Sequence, residues 1–103
     1  MKQLDVCRLS STSLTGRDRL VVVLQHADFE PLSGVLVAPL YAGDEVAFIE
    51  RFRVRATINR RPHIIAVDRL ASVPKRQLRG PVGNLDAKRY EIFKAIDLLL
   101  SGF

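Results

Sequence analysis

The chain has no tryptophan and a single cysteine, Cys7. One thiol excludes an intramolecular disulfide and a cysteine-based metal cluster, and it suits a reducing cytoplasm. No uncharged stretch approaches the roughly 20 apolar residues of a membrane-spanning helix. The opening MKQLDVCRL also lacks the continuous apolar centre of a secretory leader, so neither membrane nor export is expected. Glycine-rich phosphate loops and zinc-finger spacings are missing as well, and with them any call for a cofactor or a metal. Histidine is scarce: His26 and His63 are the only two. His63 falls in an apolar segment and His26 at a strand end, neither beside a partner in sequence. Cys7 reads as a small buried residue. Asp44, Glu45 and Glu50 read as solvated loop charges, and no serine sits in a nucleophile elbow. Without an acid–base pair, a nucleophile or a ligand set, the expected mode of action is binding and not catalysis.

What is present suits one small domain. The 103 residues are 48% hydrophobic and 26% charged, an ordinary globular balance. The net charge of +5 favours anionic partners, whether nucleic acid or acidic protein. Its cations gather at Arg51 to Arg61, Lys75 to Arg79 and Lys88 with Arg89. RLVVVLQ, Arg19 to Gln25, reads as a buried strand, and VLVAPLY, Val35 to Tyr41, as another. Pro39 in the latter removes a ladder donor and is expected at an edge, a bulge or a strand end. FRVRATI alternates, with Phe52, Val54, Ala56 and Ile58 on one face and Arg53, Arg55 and Thr57 on the other. Asn59 to Pro62 then turns the chain into HIIAV, His63 to Val67. The N-terminal LDVCRL supplies a further strand, and Ser10 to Gly16 reads as a flexible loop. Beyond LASVP the period lengthens. Ile92, Ala95, Ile96, Leu99 and Phe103 recur at helical spacing, Asp86 is expected to cap this helix, and Gly102 to end it. The expected fold is α+β, an antiparallel sheet curled toward a barrel with one C-terminal helix.

Four stretches in this order carry a resemblance: Val23 to Gln25, Val37 to Leu40, Ala71 to Pro74, and Ala95 to Phe103. They are similar to the strand end, the V-I-P-L strand, the A-S-V-P motif and the terminal helix of the CcdB family, toxins of plasmid and chromosomal toxin–antitoxin modules. The resemblance implies a five-stranded antiparallel sheet of SH3-like barrel type, shared with MazF-like toxins, and a terminal helix. It implies a homodimer whose helix ends enter the A subunit of DNA gyrase and trap the enzyme on cleaved DNA. It also implies a CcdA-like antitoxin, acidic and partly disordered, which neutralises the toxin and with it represses the operon, so that DNA is met only through the antitoxin or gyrase. The gyrase-binding residues implied are Asp97, Leu100, Ser101, Gly102 and Phe103, with Phe29 from a flanking loop. Ser101 departs from the family pattern, which has tryptophan there, and Phe103 replaces a terminal isoleucine. Serine cannot supply the cation–π contact of an indole. Two other readings stay open: a MazF- or Kid-like ribonuclease using Arg53, Arg55, Arg60 and His63, and a family member that retains only antitoxin binding.

Overall fold

The computed structural model describes residues 1–10, 19–26 and 34–102. Seven strands precede one α-helix: β1 Asp5–Leu9, β2 Arg19–Val23, β3 Gly34–Ala42, β4 Arg53–Ile58, β5 Arg61–Ala66, β6 Ala71–Pro74, β7 Leu78–Asn84 and α1 Arg89–Ser101. The sheet runs β4-β5-β3-β2-β1-β7 with every pairing antiparallel, and β6 pairs with the first half of β3. It curls into a half-barrel with the helix packed against it. The strand count thus exceeds the five expected. The two additions, ASVP and LRGPVGN, are short and carry proline and glycine, which mask a strand in the sequence because they weaken or interrupt a ladder. Around Gly80 the register of β7 against β1 shifts, and Gly80 takes a φ of 127°. The Ser10 to Gly16 loop lies, apart from Ser10, outside the described residues.

The continuous apolar run of β2 has a direct explanation. Val22 faces a core with Val6, Ala38 and Leu40 that the helix closes with Ile92 and Ala95. Val21 and Val23 face a second core inside the curl, with Cys7, Val35, Val37 and Leu78. A strand buried on both faces has no solvated side on which polar residues could alternate. Pro39 lies within β3, between the stretch paired with β6 and the stretch paired with β5. Its edge-like position is therefore a change of partner inside a long strand and not an end.

The alternation of β4 holds with one reversal. Val54, Ala56 and Ile58 are buried, but Arg53 is buried too, while Phe52 precedes the strand. The hairpin between β4 and β5 needs only Asn59 and Arg60, at φ of 51° and 66°. Two successive positive φ values define the type I′ turn that matches strand twist. Asparagine tolerates this conformation, whereas arginine carries a Cβ penalty of about 1–2 kcal/mol. Arg60→Gly should therefore raise the unfolding free energy by about 0.5–1 kcal/mol after the entropy that glycine adds to the unfolded chain, as read by urea titration.

Asp86 does not cap the helix. It opens a 3₁₀ turn, Asp86–Lys88, and its Oδ1 accepts from Arg89 Nε and Nη2 at 2.9 and 2.7 Å. The intervening turn sets the carboxylate one turn before α1, where a guanidinium on the helix claims it. Gly102 does end the helix, at φ 76° and ψ 14°, its N–H donating to Leu98 O at 2.9 Å. Among the described residues no helix is long and apolar enough to cross a membrane.

Candidate functional site: the exposed helix end and its groove

α1 is bound to the sheet through its first half. Ile92 and Ala95 are buried, and Phe93 and Ile96 pack partly against the same core. One turn later the support stops. Leu99 is 38% exposed and Leu100 73%, and Asp97, Ser101 and Gly102 are open to solvent. Leu99 was expected to continue the core stripe, but the core ends at Ile96, so the stripe outruns what it could pack against. Two adjacent leucines on an exposed helix terminus form an apolar tip that a monomer gains nothing by displaying. The left-handed Gly102 then redirects the chain. A Cβ placed there would meet nothing within 4 Å, so its glycine is required by backbone conformation and not by space. Of the residues the sequence singles out, Asp97, Leu100, Ser101 and Gly102 are thus contiguous and accessible. Phe29 and Phe103 lie outside the described residues.

Beside this tip runs a groove of about 660 Å³ between α1 and the segment that leads into β4. Phe48, Val54, Ala95 and Leu98 give it an apolar floor, while Arg51, Arg55, Lys88 and Lys94 outnumber Glu50 and Glu91 along it. Arg55 lies over the Phe48 ring, its Cζ 4.0 Å from the centroid. The groove reaches Gly102, so tip and groove are continuous. Sequence reasoning missed it. Arginines at 51 and 55 were visible as charge, but nothing in the pattern shows that Phe48 folds back toward the helix.

Arg53 fixes that fold-back. Its side chain is 7% exposed, donates through Nε and Nη2 to the two carboxylate oxygens of Asp68 at 3.1 Å each, and reaches Ala47 O through Nη1 at 2.8 Å. A planar fork serves a carboxylate on one side and a loop carbonyl on the other. The hydrogen bonds from Arg53 hold the Asp68 carboxyl below its ordinary range, against a smaller opposing effect of burial. A carboxyl with a depressed folded pKa adds stability that is fully present above its unfolded value, near pH 4, and is lost as pH falls through the lower folded value. Asp68→Asn should therefore be less stable than the parent at pH 7, with the difference shrinking below about pH 4 in urea titrations across pH.

Of the residues considered for ribonuclease chemistry, Arg55 and His63 share a depression, and Arg53 and Arg60 lie outside it. Arg53 is committed to Asp68 and Ala47, Arg55 to Phe48, and Arg60 is at the hairpin tip. His63 Nδ1 lies 3.0 Å from Arg61 O, and His63 shares only a shallow depression of about 260 Å³ with Arg55 and Lys88. Burial pushes the Cys7 thiol up from its ordinary range, which keeps it protonated and inert. Among the described residues no group of His, Cys, Asp and Glu could hold a metal ion.

The architecture is thus a curled antiparallel sheet that supports a helix with an exposed apolar end. Comparison with known proteins gives its family. The CcdB protein family model matches residues 3–102, and the chain belongs to the CcdB family. It is a toxin of the toxin–antitoxin kind, with an antitoxin as its partner. Comparison with curated proteins gives no match. Among solved structures, the fold is similar to Mycobacterium tuberculosis toxin MazF-mt6, with a TM-score of 0.76 at 19% identity over 92% of this chain and 94% of that one. A second solved structure, titled an Mtb toxin, gives a TM-score of 0.70 at 19% identity, covering 90% of this chain and 99% of the other. Identity this low carries the fold and nothing finer.

Proposed function

We propose that this toxin acts by binding the A subunit of DNA gyrase through the end of α1 and trapping the enzyme on cleaved DNA, without chemistry of its own. The observation that supports it is the unsupported tip: Leu99, Leu100 and Ser101 are exposed beyond the core, and the left-handed Gly102 ends the helix. In a homodimer two such tips would act together. With Ser101 in place of an indole, the apolar grip falls to Leu100 and Phe103. A CcdA-like antitoxin would lay an acidic, amphipathic segment in the basic groove, cover the tip, and with the toxin repress the operon. The test is plasmid cleavage by purified gyrase with ATP, stopped with detergent and protease. Linear plasmid appearing with the folded, dimeric protein supports the reading; its absence overturns it.

The MazF likeness of the fold favours one second reading, a ribonuclease. It requires cleavage of RNA by the purified protein that is abolished in His63→Ala.

A further inference from the structure

Three segments converge on Tyr41. Arg19 at the start of β2 places its Cζ 4.3 Å from the ring centroid, and Arg69, in the 3₁₀ turn after β5, places its Cζ at 5.4 Å. Arg69 Nη1 also donates to the tyrosine hydroxyl at 3.0 Å. Arg19 Nη1 donates to Leu40 O at 3.3 Å, which spends one of its five N–H donors. Two cations held on one ring repel each other unless a negative charge is near. Asp68, next to Arg69 in the chain, is bonded by Arg53 and also feels the charge of Arg69, so one carboxylate answers to three guanidinium groups, Arg19, Arg53 and Arg69. The cluster therefore presents a surplus of positive charge.

Its hydrogen bonding points the same way. The Tyr41 oxygen accepts from Arg69, which leaves the phenolic hydrogen to donate elsewhere, and a phenol polarised by a guanidinium is a stronger donor. Tyr41 O–H and the remaining N–H groups of Arg19 and Arg69 gather hydrogen-bond donors and two positive charges about one ring, groups that suit an oxyanion. We propose that Arg19, Tyr41 and Arg69 form a phosphodiester-binding site for a nucleic-acid strand. A peptide carboxylate fits less well. Acidic peptides draw affinity from apolar anchors, and the groove floored by Phe48 and Leu98 is the surface built for those. The Tyr41 cluster is built from charges and a hydroxyl, the groups that meet a phosphate backbone.

Fluorescence anisotropy with a labelled single-stranded RNA and a labelled DNA duplex, each of about 16 nucleotides or base pairs, tests the site between about 50 and 200 mM salt. Arg19→Gln and Arg69→Gln should each weaken binding roughly 3- to 10-fold at low salt and reduce the slope of log affinity on log salt by about one. Tyr41→Phe keeps the ring and loses the donor, so it should weaken binding a few-fold at unchanged slope. Arg60→Gln, at the hairpin tip, should change neither, and thermal melts confirm that each variant is folded. The strand that binds more tightly, RNA or DNA, identifies the source of the phosphate. Unchanged slopes in both arginine variants, or an equal loss in Arg60→Gln, would overturn the site. Poly-glutamate binding that is lost in the same variants, with no nucleic-acid binding, would assign it to an acidic polypeptide and overturn the proposal. A chain shortened at its helix end keeps this cluster and should keep its binding, so failure of the gyrase reading leaves this result intact.

Discussion

A chain ending at Leu100 is expected to yield no linear plasmid in the gyrase cleavage assay, while melting within a few degrees of the full chain. The two halves of this result have separate causes. The fold rests on Ile92 and Ala95, a turn and more before the cut, and the last described turn of the helix packs against nothing comparable. Truncation removes the Gly102 N–H donated to Leu98 O, a bond whose net worth is about 1 kcal/mol or less at an exposed terminus. Binding loses far more. Burying one large aromatic side chain such as Phe103 contributes about 2–3 kcal/mol, or about 30- to 150-fold in affinity. Redirection by Gly102 disappears with it. Leu100→Glu in the full chain should reproduce much of the loss, because it sets a charge where the proposed gyrase contact is apolar. A shortened chain that still traps cleaved DNA would show that the tip is not the poisoning element.

Arg53→Ala should lower the unfolding free energy by about 2–3 kcal/mol and the melting temperature by about 10–20 °C. The substitution removes three charge-assisted bonds at once and leaves Ala47 O and the Asp68 carboxylate without their donor. Breaking a fully buried pair costs about 3–5 kcal/mol. Asp68 is 27% exposed, so water partly hydrates the stranded charge and the cost falls to the bottom of that range or just below it. Lysine at 53 should recover little, since a single ammonium cannot serve two carboxylate oxygens and a loop carbonyl in one plane. In the Arg53→Ala and Asp68→Ala cycle, the double variant should fall short of the summed losses by about 1 kcal/mol or more. Loss of the Ala47 contact also frees the segment carrying Phe48, so antitoxin binding should weaken beyond what the stability change predicts.

The sequence discloses those parts of the fold whose burial is uniform. RLVVVLQ is apolar because both its faces are covered, and Ile92, Ala95 and Ile96 recur because one helical face meets the sheet. Other parts follow from partners distant in the chain. Arg53 sits at an outward position by alternation yet is buried, because Asp68, fifteen residues on, neutralises it. Asp86 has the residue type of a helix cap, but Arg89 takes its carboxylate. Leu99 keeps the helical period past the point where the sheet ends, and only the tertiary structure shows that the stripe has become surface. At the candidate site, family likeness names Asp97, Leu100, Ser101 and Gly102, and the structure shows that they are exposed, whereas the groove depends on a loop folding against a helix and left no local pattern.

The double burial of β2 also bears on how such a toxin could change its victim. Val21, Val22 and Val23 are each enclosed, so a substitution there alters folding before it alters recognition. Novelty is left to the margins: the last helical turn, the segment around Phe48 and the cluster at Tyr41. A lineage built on this frame can be retargeted by editing a few peripheral residues while its interior stays constant. Solved structures that share this shape do so at 19% identity.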